Sequence, residues 1–195
     1  MNLDAAQWHA WNGATFPDES WYRDDDEQLC AIVGAPRVDL VSRERYGDFI
    51  LQFEFALPVG GNSGVFYRVD ESAGLAWHSG PEMQLLDDAV HPDGEEPTTR
   101  NGALYGLLAP EQETRIEPGS FMHAALVVRQ GTVEHWLGNR MVLSYRLDDP
   151  ALHTLIESSK FGDKPLFAKA PAGHIVLQHH GEAVRFRRLS IEALR

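Results

Sequence analysis

The stretch Phe49-Ile50-Leu51-Gln52-Phe53-Glu54-Phe55-Ala56-Leu57 decides the fold class, because large apolar residues occupy every second position along it. Alternate side chains of an extended chain point to opposite faces. The segment is therefore predicted to be a strand that buries one face and turns Gln52 and Glu54 toward solvent or a ligand. The side chains predicted to share the buried face are Phe49, Leu51, Phe53, Phe55 and Leu57.

Short strands are predicted along most of the remaining chain, with Gly, Pro, Asn or Asp between them. Turn chemistry at 58–62 precedes an apolar run at 64–69, and we expect this run to form a hairpin with 49–57. Many short strands without alternating helices are typical of a β-sandwich. The other predicted strands are 29–33, 38–41, 82–86, 103–108, 124–129, 132–137, 141–145, 174–178 and 184–193.

One short helix is predicted near 149–159. An acidic cap followed by Pro150 suits a helix start, and Leu152, Leu155 and Ile156 recur at helical spacing. A chain of 195 residues, 43% of them hydrophobic, can bury one substantial core. We therefore expect an all-β jelly-roll sandwich of two antiparallel sheets, forming a single domain over 1–195.

The charge balance argues against polyanionic partners. Seventeen Lys and Arg stand against 29 Asp and Glu, so a formal charge of -12 would repel nucleic acid and anionic lipid surfaces. The lone Cys30 cannot form an internal disulfide and is expected to be a buried apolar residue. The first residues resemble neither a leader nor a membrane span, so a soluble, cytoplasmic protein is expected. The oligomeric state is left open.

Polar residues inside strands mark the candidate site, because alternation shows which of them share a face. Glu82, Gln84 and Asp88 are predicted to lie together, opposite Met83 and Leu85.

Two further strands are expected to contribute to this surface. His174, Gln178 and His180 are predicted to point away from a buried face. Arg68 is predicted to share the face of Phe66, where it would serve either the site or a cross-strand ion pair with Glu82.

Loops add weaker candidates. Asp87, Asp88 and His91 could ligate a divalent cation, although acidic turns are usually solvated. Trp77 is a candidate stacking platform for a sugar ring. The tryptophans near the start are expected in the core instead; they are Trp8, Trp11 and Trp21.

Six blocks of the chain, in this order and spacing, resemble the 3-keto-disaccharide hydrolase domain family from about Trp21 to Leu194. The resemblance implies a concanavalin-A-like (lectin/glucanase) jelly roll that cleaves 3-keto-glycosides by hydrolysis or elimination. The blocks are Gly47-Asp48-Phe49, Gly60-Gly61-Asn62-Ser63-Gly64-Val65-Phe66-Tyr67-Arg68, Glu82-Met83-Gln84-Leu85-Leu86-Asp87, Gly102-Ala103-Leu104-Tyr105-Gly106, Glu134-His135-Trp136-Leu137 and Gly173-His174-Ile175-Val176-Leu177-Gln178-His179-His180-Gly181.

The chain departs from the family pattern at three places. Gln178-His179-His180-Gly181 has His where the family has Asp, but the changed residue falls on the face assigned to packing. Trp136-Leu137-Gly138-Asn139 alters a turn, and Phe121-Met122 replaces a Trp-Asn pair. The last two changes leave the substrate undefined.

A ketone at C3 of a sugar acidifies the hydrogen on C2, so cleavage needs a base, an enolate stabiliser and an acid. Glu82 and His180 are the candidate base and acid in either order, and Arg68 or a bound cation is the candidate stabiliser. The candidate substrate-binding residues are Asn62, Gln84, Asp88, Tyr105, Gln178, Lys160 and Trp77.

Three other functions compete with this one. The same sandwich serves as a non-catalytic carbohydrate-binding module or as a protein-interaction domain of the laminin-G kind. A conventional glycosidase would need a second carboxylate near Glu82, for which Glu54 and Asp88 are the candidates.

Overall fold

The computed structural model describes residues 3–194, which form two antiparallel sheets and one α-helix. Five strands are ordered β1-β4-β11-β6-β7 in one sheet, and seven are ordered β10-β9-β8-β5-β12-β3-β2 in the other. The strands are β1 Trp8–Ala10, β2 Trp21–Arg23, β3 Leu29–Ala31, β4 Leu40–Tyr46, β5 Phe49–Ala56, β6 Asn62–Val69, β7 Glu82–Leu86, β8 Met122–Arg129, β9 Thr132–Leu137, β10 Arg140–Arg146, β11 Gly173–Leu177 and β12 Arg185–Ala193; the helix α1 is Pro150–Ser158.

The two sheets enclose the main core, as the alternation in β5 predicts. Phe49, Leu51, Phe53 and Phe55 are all buried there. The predicted β-sandwich and the helix near 149–159 are confirmed. The expected domain over 1–195 also includes Met1, Asn2 and Arg195, which lie outside the described residues.

The N-terminal tryptophans and Cys30 pack as expected. Trp8 and Trp21 are fully buried in the main core, and Trp11 packs against a smaller apolar cluster. Cys30 is also buried. Helix α1 has nine residues, too few to cross a bilayer, and residues 3–194 hold no longer apolar helix that could.

The expected hairpin between 49–57 and 64–69 is wrong, because β5 and β6 belong to different sheets. The turn after β5 is held by Asp87, whose Oδ2 accepts a hydrogen bond from the Gly60 amide and whose amide donates to the Gly61 carbonyl. Turn chemistry at 58–62 thus marks the place where the chain crosses from one sheet to the other.

The expected strand at 103–108 is also wrong. Ala103, Leu104 and Leu107 are buried, but the segment forms turns, with one isolated bridge from Leu104 to Met83 of β7 and another from Leu104 to Leu108 within the segment itself. Gly102 and Gly106 have positive φ, which breaks an extended run at both positions.

A bulge in β6 overturns the predicted direction of Arg68. Two residues, Tyr67 and Arg68, lie opposite the single residue Ile175 of β11, and Arg68 has φ 51°. Because of the extra residue, Val69 rather than Arg68 lies on the same face as Phe66. Phe66 and Val69 both belong to the smaller apolar cluster.

Candidate functional site

A polar cavity of about 120 Å³ lies on the face of the five-stranded sheet that points away from the main core. It is formed by β6, β7, the end of β11 and the loops around them. Four larger surface grooves lack such a convergence of buried polar groups; they lie near 3–4 with 187–190, around Trp136, and along 10–19 and 16–23 near the start of the chain. The lining residues are Asn62, Trp77, Glu82, Gln84, Asp93, Tyr105, Lys160, Gln178 and His180.

Strand alternation builds the floor of the cavity. Met83 and Leu85 of β7 face the main core, so Glu82 and Gln84 between them face the cavity. Asn62 joins them from β6, and all three side chains belong to buried residues. The same rule places Ile175 and Leu177 of β11 in the core. Gln178, which directly follows Leu177, therefore points to the opposite side and lines the cavity.

Glu82 is only 8% exposed; its backbone carbonyl accepts a hydrogen bond from the Tyr105 amide, but its carboxyl has no hydrogen-bond or ion-pair partner among residues 3–194. Burial raises the pKa of its carboxyl to about 8; the Lys160 ammonium opposes that rise, while Asp39 and Asp93 add to it. A Cβ added to Gly64, across the strand pair, would collide with Oε1 of Glu82. Gly64 therefore makes the space in which this carboxyl lies.

Two glutamines bring unpaired amide groups to the cavity. Neither Oε1 nor Nε2 of Gln84 has a hydrogen-bond partner among the described residues, although Gln84 is 1% exposed, and Oε1 of Gln178 is likewise buried and unpaired. Leaving such atoms unsatisfied costs about 1–3 kcal/mol each. A ligand with several hydroxyl groups would satisfy them.

The rim carries a cation among aromatic rings. Nζ of Lys160 lies 4.3 Å from the centroid of the Tyr105 ring and 5.4 Å from that of Trp77. Burial lowers the pKa of this amine, against the pull of Glu82 and Asp93. Burial, helped by the hydrogen bond that the Tyr105 hydroxyl donates to Asp93, raises the pKa of Tyr105 to about 12.

His180 lies across the mouth of the cavity with its side chain 38% exposed. Its Nδ1 is 3.1 Å from Oε2 of Glu182, so the carboxylate orients the ring. The preceding His179 points the other way, packs edge-on against Trp21 at 5.4 Å and is buried, as its assignment to the packing face predicts.

Most of the sequence-predicted site residues meet in this cavity, but Arg68 does not. Its guanidinium bonds the Gly47 carbonyl and lies 3.2 Å from Oδ1 of Asp48, so neither the shared face with Phe66 nor the pair with Glu82 is found. The predicted residues that the structure brings together are Asn62, Trp77, Glu82, Gln84, Tyr105, Lys160, Gln178 and His180.

The proposed loop ligands have other roles. Asp87 holds the turn after β5, and Asp88, outside the cavity lining, accepts a hydrogen bond from the Asn101 amide. Burial raises the pKa of Asp88 to about 6. His91 accepts from the Asp93 amide and is 3.4 Å from Asn62. These three side chains thus organise loop backbone rather than converge on one point.

Sequence reasoning missed Asp93 and Glu182. Asp93 sits in a 3-10 turn at Pro92–Glu95, and Glu182 follows β11 by five residues. Neither lies in a strand, so alternation cannot place them. The only signal was proximity in sequence, since Glu182 is two residues from His180.

Fold and site together define a class: a jelly-roll sandwich of the lectin/glucanase type with a polar cavity on one sheet. The chain belongs to the family of 3-keto-alpha-glucoside-1,2-lyase-like domains, which it matches over residues 2–192.

A curated relative, the 3-keto-disaccharide hydrolase of Bacteroides thetaiotaomicron, is 30% identical over 179 residues. The match covers 80% of this chain and 62% of that protein, so the chain spans less than two thirds of the relative's length.

Solved structures agree with the fold. A Parabacteroides distasonis protein provisionally named a glycosyl hydrolase superposes with a TM-score of 0.89 at 25% identity, covering 98% of this chain and 90% of that one. A carbohydrate-binding module of Bacillus subtilis gives 0.61 at 14% identity, with 96% of each chain covered. The second likeness concerns the fold alone.

Proposed function

We propose that the protein cleaves the C1–O bond of 3-keto-glycosides in the polar cavity, by elimination across C1 and C2. Membership in the lyase-like family and the name of the Bacteroides relative support this substrate class. The observation that carries the proposal is a buried, unpaired carboxyl, Glu82, in one cavity with His180 and Lys160.

His180 is the proposed base. The contact of Nδ1 with Glu182 fixes the orientation of the ring and leaves Nε2 to accept the proton from C2 of the sugar. The C3 ketone makes this proton acidic, because the electron pair left on C2 delocalises onto the ketone oxygen.

Lys160 is the proposed stabiliser of the enolate oxygen. It provides the positive charge that Arg68, turned toward Asp48, does not bring to the cavity. A fixed cation in a partly dehydrated site can supply a large part of the catalytic effect.

Glu82 is the proposed acid. A carboxyl with a pKa near 8 keeps its proton at neutral pH and can give it to the glycosidic oxygen as the C1–O bond breaks. Each turnover leaves Glu82 ionised and His180 protonated. A proton must therefore leave His180 and another must reach Glu82 before the next turnover.

The products are an alcohol and a sugar with a C1=C2 double bond conjugated to the C3 ketone. Addition of water across that double bond would make the net reaction a hydrolysis. Asn62, Gln84 and Gln178 are proposed to hold the ring hydroxyls, and Trp77 to contact the ring face.

A conventional two-carboxylate glycosidase is the second candidate. Asp93 lines the same cavity as Glu82 and helps to raise its pKa, whereas Glu54 is in the other sheet and Asp88 outside the lining. Asp93 already accepts the Tyr105 hydroxyl, which favours a positioning role. A binding module without catalysis is the third.

The test compares a chromogenic 3-keto-glucoside with the same glucoside not oxidised at C3, each with and without a chelator. We expect release of the aglycone from the 3-keto compound alone and, in D2O, deuterium at C2 of any hydrated product. Release from both compounds would favour the two-carboxylate glycosidase, and tight binding without release would favour the binding module.

His180→Gln sharpens this test. Loss of a general base should lower kcat/KM by about 100-fold or more. The matched control is His123→Gln, an exposed histidine on β8 outside the cavity, and its activity should stay within about twofold of the wild type. Equal activities for the two variants would remove His180 from the mechanism.

A further inference from the structure

A second cluster of potential ligands joins the edge strand β1 to the middle strand β11 of the five-stranded sheet, where no substrate role is proposed. It consists of His9 on β1, His174 on β11 and Glu71 in the loop after β6. Nε2 of each histidine is 3.6 Å from Oε2 of Glu71, and all three ligand atoms lie within 4.8 Å of one another. The histidine side chains are 12% and 15% exposed, and that of Glu71 is 29% exposed.

Backbone carbonyls set the tautomer of both rings. Nδ1 of His9 is 2.9 Å from the Gly13 carbonyl, and Nδ1 of His174 is 2.6 Å from the Ser42 carbonyl. A carbonyl oxygen only accepts, so each Nδ1 carries a hydrogen, and Nε2 is the ring nitrogen that faces Glu71. Metal-binding histidines characteristically donate their other N–H in this way.

The spacing suits a metal better than it suits direct hydrogen bonds. A separation of 3.6 Å is too long for a hydrogen bond between Nε2 and a carboxylate oxygen. Two ligand atoms bound to Zn²⁺ at about 2.0–2.1 Å in a tetrahedron are about 3.3–3.4 Å apart. This is only slightly shorter than the 3.6 Å between each Nε2 and Oε2 of Glu71.

We propose that His9, Glu71 and His174 bind one divalent transition metal of the Zn²⁺ type, with a fourth position open to water. Two imidazoles and one carboxylate suit Zn²⁺, whereas Ca²⁺ and Mg²⁺ prefer six or more oxygen ligands or waters.

This site is separate from the cavity. His174 precedes Gln178 by four residues, a distance of about 13 Å along a strand, and Val176 lies between them in the smaller apolar cluster. The metal would join three chain segments that are distant in sequence. One of these, the loop after β6, also carries Trp77 into the cavity. The proposed role is to fix the edge strand and this loop.

The experiment uses the full chain without a polyhistidine tag, stripped of metal with a chelator and titrated with Zn²⁺ by calorimetry. We expect one equivalent to bind and, at a hundredfold excess over Kd, to raise Tm by about 5 °C or more. Co²⁺ in its place should give the intense visible bands of a tetrahedral site, and Ca²⁺ should not compete.

Glu71→Gln and His174→Ala should weaken Zn²⁺ binding by at least about tenfold. Glu71→Gln keeps the shape of the side chain, so its metal-free Tm should match that of the wild type and exclude misfolding as the cause. His123→Ala and His180→Gln are the controls, and both should bind Zn²⁺ like the wild type. Absence of stoichiometric binding to the wild type, or its retention in both ligand variants, would overturn the proposal.

Discussion

Each sheet carries a glutamate in a strand on the side away from the main core, and the two carboxyls differ in almost every respect. Glu54 of β5 binds Arg187 at 2.6 Å and Arg188 at 2.8 Å, and these partners lower its pKa despite partial burial. Glu82 of β7 has no such partner, and burial raises its pKa to about 8. Alternation puts both residues in the same category, so only their surroundings separate a structural carboxylate from a candidate acid.

The largest expected effect is on turnover. Glu82→Gln should lower kcat on a 3-keto-glucoside by about 100-fold or more, as for loss of a general acid, whereas Glu54→Gln should change it less than about twofold. The wild type should lose activity as pH rises through about 8, because Glu82 then gives up its proton, and this limb should be absent from the residual activity of Glu82→Gln. If the wild type and both variants had the same pH–rate profile, Glu82 would not be the acid and would not differ from Glu54 in function.

A smaller loss is expected from Gly64→Ala. The added methyl group meets the Glu82 carboxyl, so the acid must move and kcat/KM should fall by about tenfold or more. Gly74→Ala is the control, because its methyl would come no closer than 3.4 Å to Nδ1 of His78. If Gly64→Ala were as active as Gly74→Ala, the position of Glu82 would not matter to the reaction.

The smallest effect concerns stability, and its sign differs between the two glutamates. The pKa of Glu82 is higher folded than unfolded, so its contribution to stability is fully present below pH 4.5 and is lost as pH rises toward 8. Glu82→Gln should therefore be more stable than the wild type at pH 8 by roughly 1–3 kcal/mol. At pH 5 this gain in stability should be smaller.

The pKa of Glu54 is lowered, so its contribution is present at neutral pH and lost on acidification. Glu54→Gln should be less stable than the wild type by up to about 1 kcal/mol at pH 8, with the difference shrinking as pH falls. Thermal melts at pH 5 and pH 8 check both predictions. Shifts in Tm of the same sign for Glu82→Gln and Glu54→Gln at pH 8 would contradict them.

Much of the fold was readable from alternation, which predicted the full extent of β5, β7 and β9. The three-residue strands β1 and β2 were missed, whereas β3, equally short, lies inside the predicted segment 29–33. The turn at 58–62 was recognised, but turn chemistry does not reveal which sheet the next strand joins.

The sequence predicted site residues that lie in or next to strands better than those that lie in loops. Glu82, Gln84 and Gln178 followed from the period of two, and the family resemblance supported them. Arg68 was misplaced because nothing in the residue letters marks a one-residue bulge. Asp93 lies in a 3-10 turn, where the period of two does not apply.

The size of the cavity bears on selectivity. With a volume of about 120 Å³, the cavity is well below the roughly 300–1,000 Å³ of a typical pocket for a drug-sized ligand. Such a space can enclose little more than one ring, and the group attached to C1 would remain in bulk solvent. Under the proposed function, recognition would then rest on the oxidised ring, and the protein would accept leaving alcohols of widely different shape.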